Sequence, residues 1–363
     1  MGDISLGSDG WTKVGKSAIT VVAPIVAAAL FWVGFLFLRG GAAHQSVIAI
    51  VAIIWGVGGV AFLFFSLDWI VHRLPLKVAK KVQPFIFVGP ALIILTWFLL
   101  LPTLRSLYLS FFDAYSQNFV GLDNYIFAFT NPKMIESFSN NLLWLVFGTA
   151  GSVGFGLIIA LLADRSKLEK GFKSIIFMPM AISFVGAGVI WRFVYAYKPA
   201  GEEQIGLLNA FVSLFNVEPQ AWFTLQPWNN FFLIIILVWL QTGYAMVIIS
   251  AALKGVPQTI IEAGRIDGAS EFRIIRSIII PYIKGTIITV STTIVILTLK
   301  IFDIVFTMTG GEYGTEVIAS MQYKQMFRFL HYGRGSAIAI VLVIAVIPVM
   351  WYNLHQFNKT EGF

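Results

Sequence analysis

The chain has 363 residues, 58% of them hydrophobic and only 12% charged, with a net charge of +7 and a mean hydropathy of +0.83. An average soluble domain carries about 25% charged residues, so a soluble domain and a single-anchor protein are both excluded, and the class is a polytopic membrane protein. There is no cysteine, which excludes structural disulfides, cysteine zinc sites and thiol nucleophiles, and the basic residues lie in short loops between apolar runs, a topology signal that makes no case for nucleic acid.

In chain order, eight apolar runs are expected to span: 17–38, 46–67, 85–104, 141–163, 174–197, 230–253, 286–309 and 336–356. Each approaches the about 20 residues that a helix needs to cross hydrocarbon. Unpaired backbone is not tolerated in lipid, so the runs are helices. Runs such as Phe231–Leu240 lack the alternation of a β-barrel strand. The fold class is therefore an all-α, polytopic transmembrane bundle. Lys13 and Lys16 precede an apolar run that continues through Phe31–Leu38, too long for a cleavable signal peptide.

With the N-terminus inside, sixteen of the 25 Lys and Arg fall in inner segments and seven in outer ones. Inner positions include Lys13, Lys16, Arg73, Arg165, Lys167, Lys170, Lys173 and Lys254, and the excess places both termini in the cytoplasm. Three outer connections are long, 105–140, 198–229 and 310–335. They read equally as docking loops for a soluble partner and as ordinary capped loops. No phosphate-binding G-x-x-x-x-G-K-[ST] loop occurs, so this chain is not expected to hydrolyse ATP.

In the sixth run Gln241 and Tyr244 are three apart and share a helix face. The next segment, LKGVPQTIIEAGRIDGASEFRIIRSIIIPYIKG over 253–285, is amphipathic. Pro257 suits the first turn of a helix that ends near Asp267. Gly268 permits a sharp turn, Ser270 is the expected N-cap of a second helix, and Pro281 is its expected stop. Ile260, Ile261, Phe272, Ile275 and Ile279 supply apolar contacts. Periodicity alone fits two objects, a helix–turn–helix knob that plugs into another protein and a helix lying on lipid headgroups. In the seventh run Lys300 and Asp303, three apart, are expected to pair as a structural clamp. Arg192, late in the fifth run, is expected to snorkel outward.

Glu262-Ala263-Gly264-Arg265-Ile266-Asp267-Gly268-Ala269-Ser270, with Pro281 beyond, resembles the EAA loop of ABC importer permeases. Gly264 departs from the family's usual Ala and should soften the first helix by up to about 1 kcal/mol. The resemblance continues through Met178–Phe184, Val189–Phe193, Gly206–Asn209, Ala221-Trp222, Trp239–Tyr244, Phe302–Val305 and Thr309–Gly311. Together these look like the larger, maltose-type permease of carbohydrate importers over 85–357, and most like α-glucoside permeases on the stretches Tyr195–Asn209 and Gly314–Ile340. The organisation implied is an N-terminal tail and extra hairpin over 1–84, then a type I importer core over 85–363 with its coupling loop at 254–285.

What the resemblance implies is a permease subunit in a bacterial inner membrane. It would pair with a second permease subunit, two copies of an ABC ATPase and a periplasmic or lipid-anchored sugar-binding protein. ATP and magnesium would be bound by the ATPase subunits, and no cofactor by this chain. Glu262, Ala263, Gly264, Asp267, Gly268, Ala269, Ser270 and Pro281 would couple to the ATPase. Gln241, Tyr244, Leu297, Thr298, Met180 and Phe184 match positions that line the family's sugar cavity, although the family can have polar residues at the last two. An ion-coupled secondary carrier is the alternative. It would need ionisable residues near the midplane, for which only Lys300 and Asp303 qualify. The scattered His44, His72, His331 and His355 give no basis for a membrane enzyme.

Overall fold

The computed structural model describes residues 25–26, 29–41, 43–71, 76–164, 168–199 and 201–360. The expectations for residues 17–24, and for Lys13, Lys16, His72, Arg73, Arg165 and Lys167, lie outside them. Among the described residues the chain is helical, with one isolated bridge between Phe112 and Phe119. It divides into two compact units after Pro102.

In the first unit α1 (Ala29–Gly40) is a short apolar helix and α2 (Gln45–Ser66) is long enough to span. They meet through Phe31 and Trp55, whose rings lie 4.7 Å apart. The indole N–H of Trp55 also donates to the Phe31 carbonyl at 3.2 Å. α3 (Lys77–Leu109), in this unit as far as Pro102, extends the expected third span at both ends.

The second unit is built around α9 (Asn229–Lys254), the most buried of the spans. Before it come α4 (Asp123–Thr130) and α5 (Pro132–Ala163), which starts on an Asn131 cap that accepts from the Lys133 N–H at 3.0 Å. α5 packs along α9 through small residues. A Cβ on Gly156 would stand 2.6 Å from the Ala245 Cβ and 2.9 Å from the Met246 nitrogen. Lipid supplies no hydrophobic drive between helices, so such close backbone approach carries the packing. Tyr332–Thr360 forms the final helix, and its span closes against α4 and the start of α5 through Ala128, Met134, Ile338 and Val341.

Two expected spans are broken. The fifth is a pair, α6 (Glu169–Ala181) and α7 (Phe184–Val194), bent by 104°. The break falls where Pro179 tightens the last turn into a 3-10 turn and Ser183 caps the next helix, accepting from the Gly186 N–H at 3.0 Å. Following α8 (Leu207–Ser213), α9 and α10 (Gln258–Ile266), the seventh is also a pair, α11 (Glu271–Tyr282) and α12 (Lys284–Leu299), bent by 71°. α12 ends at Leu299, and α13 (Asp303–Met308) starts afresh. The expected helix over 286–309 is thus interrupted at 300–302, and no ion pair joins Lys300 to Asp303, since Lys300 lies in the break and Asp303 starts the next helix. Among the described residues five helices are long and apolar enough to span, seven if each bent pair is one span, with the short α1 in addition. Arg192 lies exposed in the last turn of α7, consistent with a snorkelling side chain.

A knob at one end, a cavity within

α10 begins one residue later than expected. Pro257 is its N-cap, with an extended ψ of 127°, so the ring's fixed φ is used to enter the helix. The helix ends in a Schellman closure, with the Gly268 N–H donating to the Arg265 carbonyl and the Ala269 N–H to the Gly264 carbonyl, both at 3.0 Å. Gly268 holds φ +79°, the left-handed value that closure needs. Ser270 caps α11 as expected, its side chain accepting from the Arg273 N–H at 3.4 Å. α11 does not stop at Pro281. A wide π turn over Ile275–Ile279 precedes the proline, and the bend falls at Ile283.

Gly264 proves to be a packing residue. It is buried, and a Cβ there would lie 2.9 Å from the Ile278 Cδ1 and 3.5 Å from Ile274. A methyl there would press only on the flexible tip of Ile278 where α10 closes on α11. Arg265 is paired with Glu271 at 2.8 Å across the turn, which raises the guanidinium above its ordinary value. Outward, Ile266 is 86% and Phe272 72% exposed. Glu262, Ala263, Asp267, Gly268 and Ser270 are exposed beside them, with Ala269 half-buried and Pro281 exposed farther along. The result is a rigid two-helix tip with an apolar, solvent-facing crown.

Within the bundle a cavity of about 300 Å³ is lined by Met180, Ile182, Ser183, Phe184, Leu240, Gln241, Tyr244, Thr293 and Leu297. Five of the six expected path residues meet there. Thr298 does not: it is fully buried and its hydroxyl donates to the Ile294 carbonyl of its own helix at 2.7 Å. Ile182, Ser183 and Thr293 are lining residues that the sequence argument missed. Pro179 followed by Ser183 was the available signal, because irregular backbone at membrane depth occurs where it lines a cavity. The lining is largely apolar, with the Gln241 amide and the Tyr244, Ser183 and Thr293 hydroxyls as its polar side-chain groups. Thr293 already donates to the Thr289 carbonyl at 3.0 Å.

At the end opposite the knob, four buried asparagines clasp the loop that follows α13. Asn140 donates to the Gly314 and Glu316 carbonyls at 2.9 and 2.8 Å, and Asn229 to the Tyr313 carbonyl at 2.7 Å. Asn230 donates to the Asn140 side chain at 3.2 Å, while the Asn141 side chain accepts from the Ile318 N–H at 2.8 Å. Lys324 meets the buried Glu316 at 2.5 Å. The outer connection over 310–335, which the sequence reads equally as a docking loop and as an ordinary capped loop, is therefore held at Tyr313–Ile318 by helices α5 and α9.

Comparison with known proteins follows this geometry. The profile of the family described as "Binding-protein-dependent transport system inner membrane component" matches residues 152–358, more than half of the chain. The osmoprotective compounds uptake permease protein GgtC of Synechocystis is 58% identical over 76% of this chain and 99% of its own. The alpha-glucoside transport system permease protein AglF of Rhizobium meliloti is 48% identical over 88% of this chain and 99% of its own. Among solved structures, a chain of a bacterial alginate ABC transporter, crystallised with an alginate-pentasaccharide-bound periplasmic protein, aligns with a TM-score of 0.67. It is 18% identical and covers 80% of this chain and 99% of that one, a likeness of fold.

Proposed function

From the premise that this chain belongs to the family of binding-protein-dependent transport system inner membrane components, a multi-pass permease of the inner membrane, we propose that it carries an α-glucoside or a glucosyl osmolyte inward by alternating access. The observation that carries the substrate class is the pair of long relatives named for alpha-glucosides and for osmoprotective compounds. The cavity supports it. A sugar needs a few hydrogen-bonding groups set in a mostly apolar wall, and Gln241, Tyr244, Ser183 and Thr293 stand in such a wall.

In this reading the knob is the dock for a separate ATPase subunit. Two ATPase copies bind ATP and magnesium, and a second permease completes the path. An external sugar-binding protein loads the cavity on the side of the asparagine clasp, with both termini cytoplasmic. The chain itself makes and breaks no covalent bond. Glu262, Asp267 and Gly268 shape the docking tip, while Gln241 and Tyr244 exchange hydrogen bonds with sugar hydroxyls.

The test is purification of the tagged chain from its native membrane, followed by ATPase assays with maltose, trehalose, sucrose and a glucosyl-polyol. A stoichiometric ATPase, and hydrolysis stimulated by at least one of these with its binding protein, is the expected result. A chain that purifies alone and transports by a proton gradient would overturn the reading.

A further inference from the structure

A charge cluster beside the knob is used by neither the docking crown nor the cavity. Lys173 on α6 donates to Asp164, just past the end of α5, to Ser250 on α9, and to Glu169 one turn back at 2.6 Å. Ser250 donates to Asp164 at 2.7 Å, and Lys254, the last residue of α9, reaches Glu169 at 2.6 Å. Two cations thus face two anions. Lys173 and Asp164 are only 15% and 19% exposed, so the cluster is shielded in a way that an exposed surface pair is not.

Farther along, α6 touches α9 with no slack. A Cβ on Gly243 would lie 2.5 Å from the Ile176 carbonyl oxygen and 2.7 Å from the Phe177 Cα. α6 is therefore fastened to α9 twice, by charge at one end and by backbone contact in the middle. The two helices lead to different places. α9 passes through Gly255 and Val256 straight into the knob at Pro257. α6 runs from Lys173 to Met180 in the cavity wall, two turns or about 10 Å of helix.

We propose that Lys173, held between Asp164, Glu169 and Ser250, is a positioning residue that conveys displacement of the knob to the cavity wall. The inference rests on reading the knob as an ATPase dock. When the knob moves, α9 moves with it, and the cluster forces the near end of α6 to follow. α6 then acts as a rod that shifts Met180 and the break at Ile182–Ser183. Without the cluster, of the two fastenings only the contact at Gly243 remains, a single point about which α6 can swing while α9 moves.

The absence of cysteine from the chain makes the test direct. In the whole complex, with its other subunits freed of cysteine, Met180→Cys is labelled with a thiol reagent in the nucleotide-free and vanadate-trapped states. The labelling rate should differ between states in the otherwise unaltered chain. It should become equal in Lys173→Met and in Asp164→Asn/Lys173→Met, which leaves no orphaned acid, and differ again in Lys173→Arg. ATP hydrolysis should continue in all four. A full difference in the double variant overturns the relay. No difference in the unaltered chain, in a complex whose ATP hydrolysis the sugar-loaded binding protein still stimulates, overturns the relay alone; absence of stimulated hydrolysis overturns the importer reading. A second measurement leaves the cluster intact: spin labels on Phe172→Cys and Val247→Cys, both exposed, should keep one separation in both states. A changed separation overturns the rod.

Discussion

Gly268 holds φ +79°, yet nothing lies within 4 Å of where its Cβ would be. A side chain there costs backbone strain alone, about 1–2 kcal/mol. Gly268→Ala should therefore leave the membrane helices folded while loosening the turn between α10 and α11, and sugar uptake should fall more than expression does. Equal loss of both would show that the turn matters only for folding. A second residue responds to pH. His331 is pushed below its ordinary value of 6.5, by burial first and by Arg334 next, with Asp113 opposing. Its neutral Nδ1 accepts from the Arg334 N–H at 3.3 Å. The folded value is depressed, so the stabilisation is present above the unfolded value and is lost as pH falls through the folded one. The protection of the Tyr332–Gly335 amides, measured relative to their intrinsic exchange rates, should fall as pH drops below the ordinary histidine range, and a His331→Gln variant should lack that dependence.

At the scale of elements, the same chemical change has opposite consequences on two helices. In α10 a Cβ on Gly264 meets the flexible tip of Ile278, whereas in α9 a Cβ on Gly243 meets the α6 backbone. Gly264→Ala should be tolerated, with a cost or gain within about 1 kcal/mol. Gly243→Ala should displace α6 and destabilise by about 1–3 kcal/mol, read as a lower melting temperature of the detergent-solubilised complex. If Gly243→Ala melts with the parent, α6 is not fastened as described. This contrast marks what a sequence can carry. The turn at Gly268 and the cap at Ser270 were legible because each is decided by neighbours within four residues. The break after Ala181 is marked only by Pro179 and Ser183, a weak signal inside an apolar run that otherwise reads as a span. The Lys300–Asp303 pairing presupposed a continuous helix and failed once α12 ended at Leu299. The cluster of Asp164, Lys173 and Ser250 joins residues up to 86 apart in the chain, so no local pattern announces it. The cavity residues became legible only through the family resemblance. Composition and periodicity could not separate Thr298, which bonds to its own helix, from Gln241 on the cavity wall.

As a whole molecule the chain ends in an unfinished surface. The knob's inner side is closed by Gly264, Ile274 and the Arg265–Glu271 pair, so it is rigid without a partner. Its outer side presents Ile266 and Phe272, which lie among charged residues at the end of the bundle. Burying two such side chains against a partner is worth about 1.5–3 kcal/mol each, and apolar anchors of this kind concentrate the binding energy of an interface. Ile266→Asp together with Phe272→Asp should therefore release the proposed ATPase partner. The mutated chain should still insert and still hold the proposed second permease, because neither side chain belongs to the buried core that closes the knob. Quantitative mass spectrometry of the tagged chain reads both outcomes at once. Loss of the ATPase alone assigns the crown to docking. Retention of the ATPase at full stoichiometry would move the dock elsewhere, and loss of both partners would mean that the crown supports the fold of the chain itself.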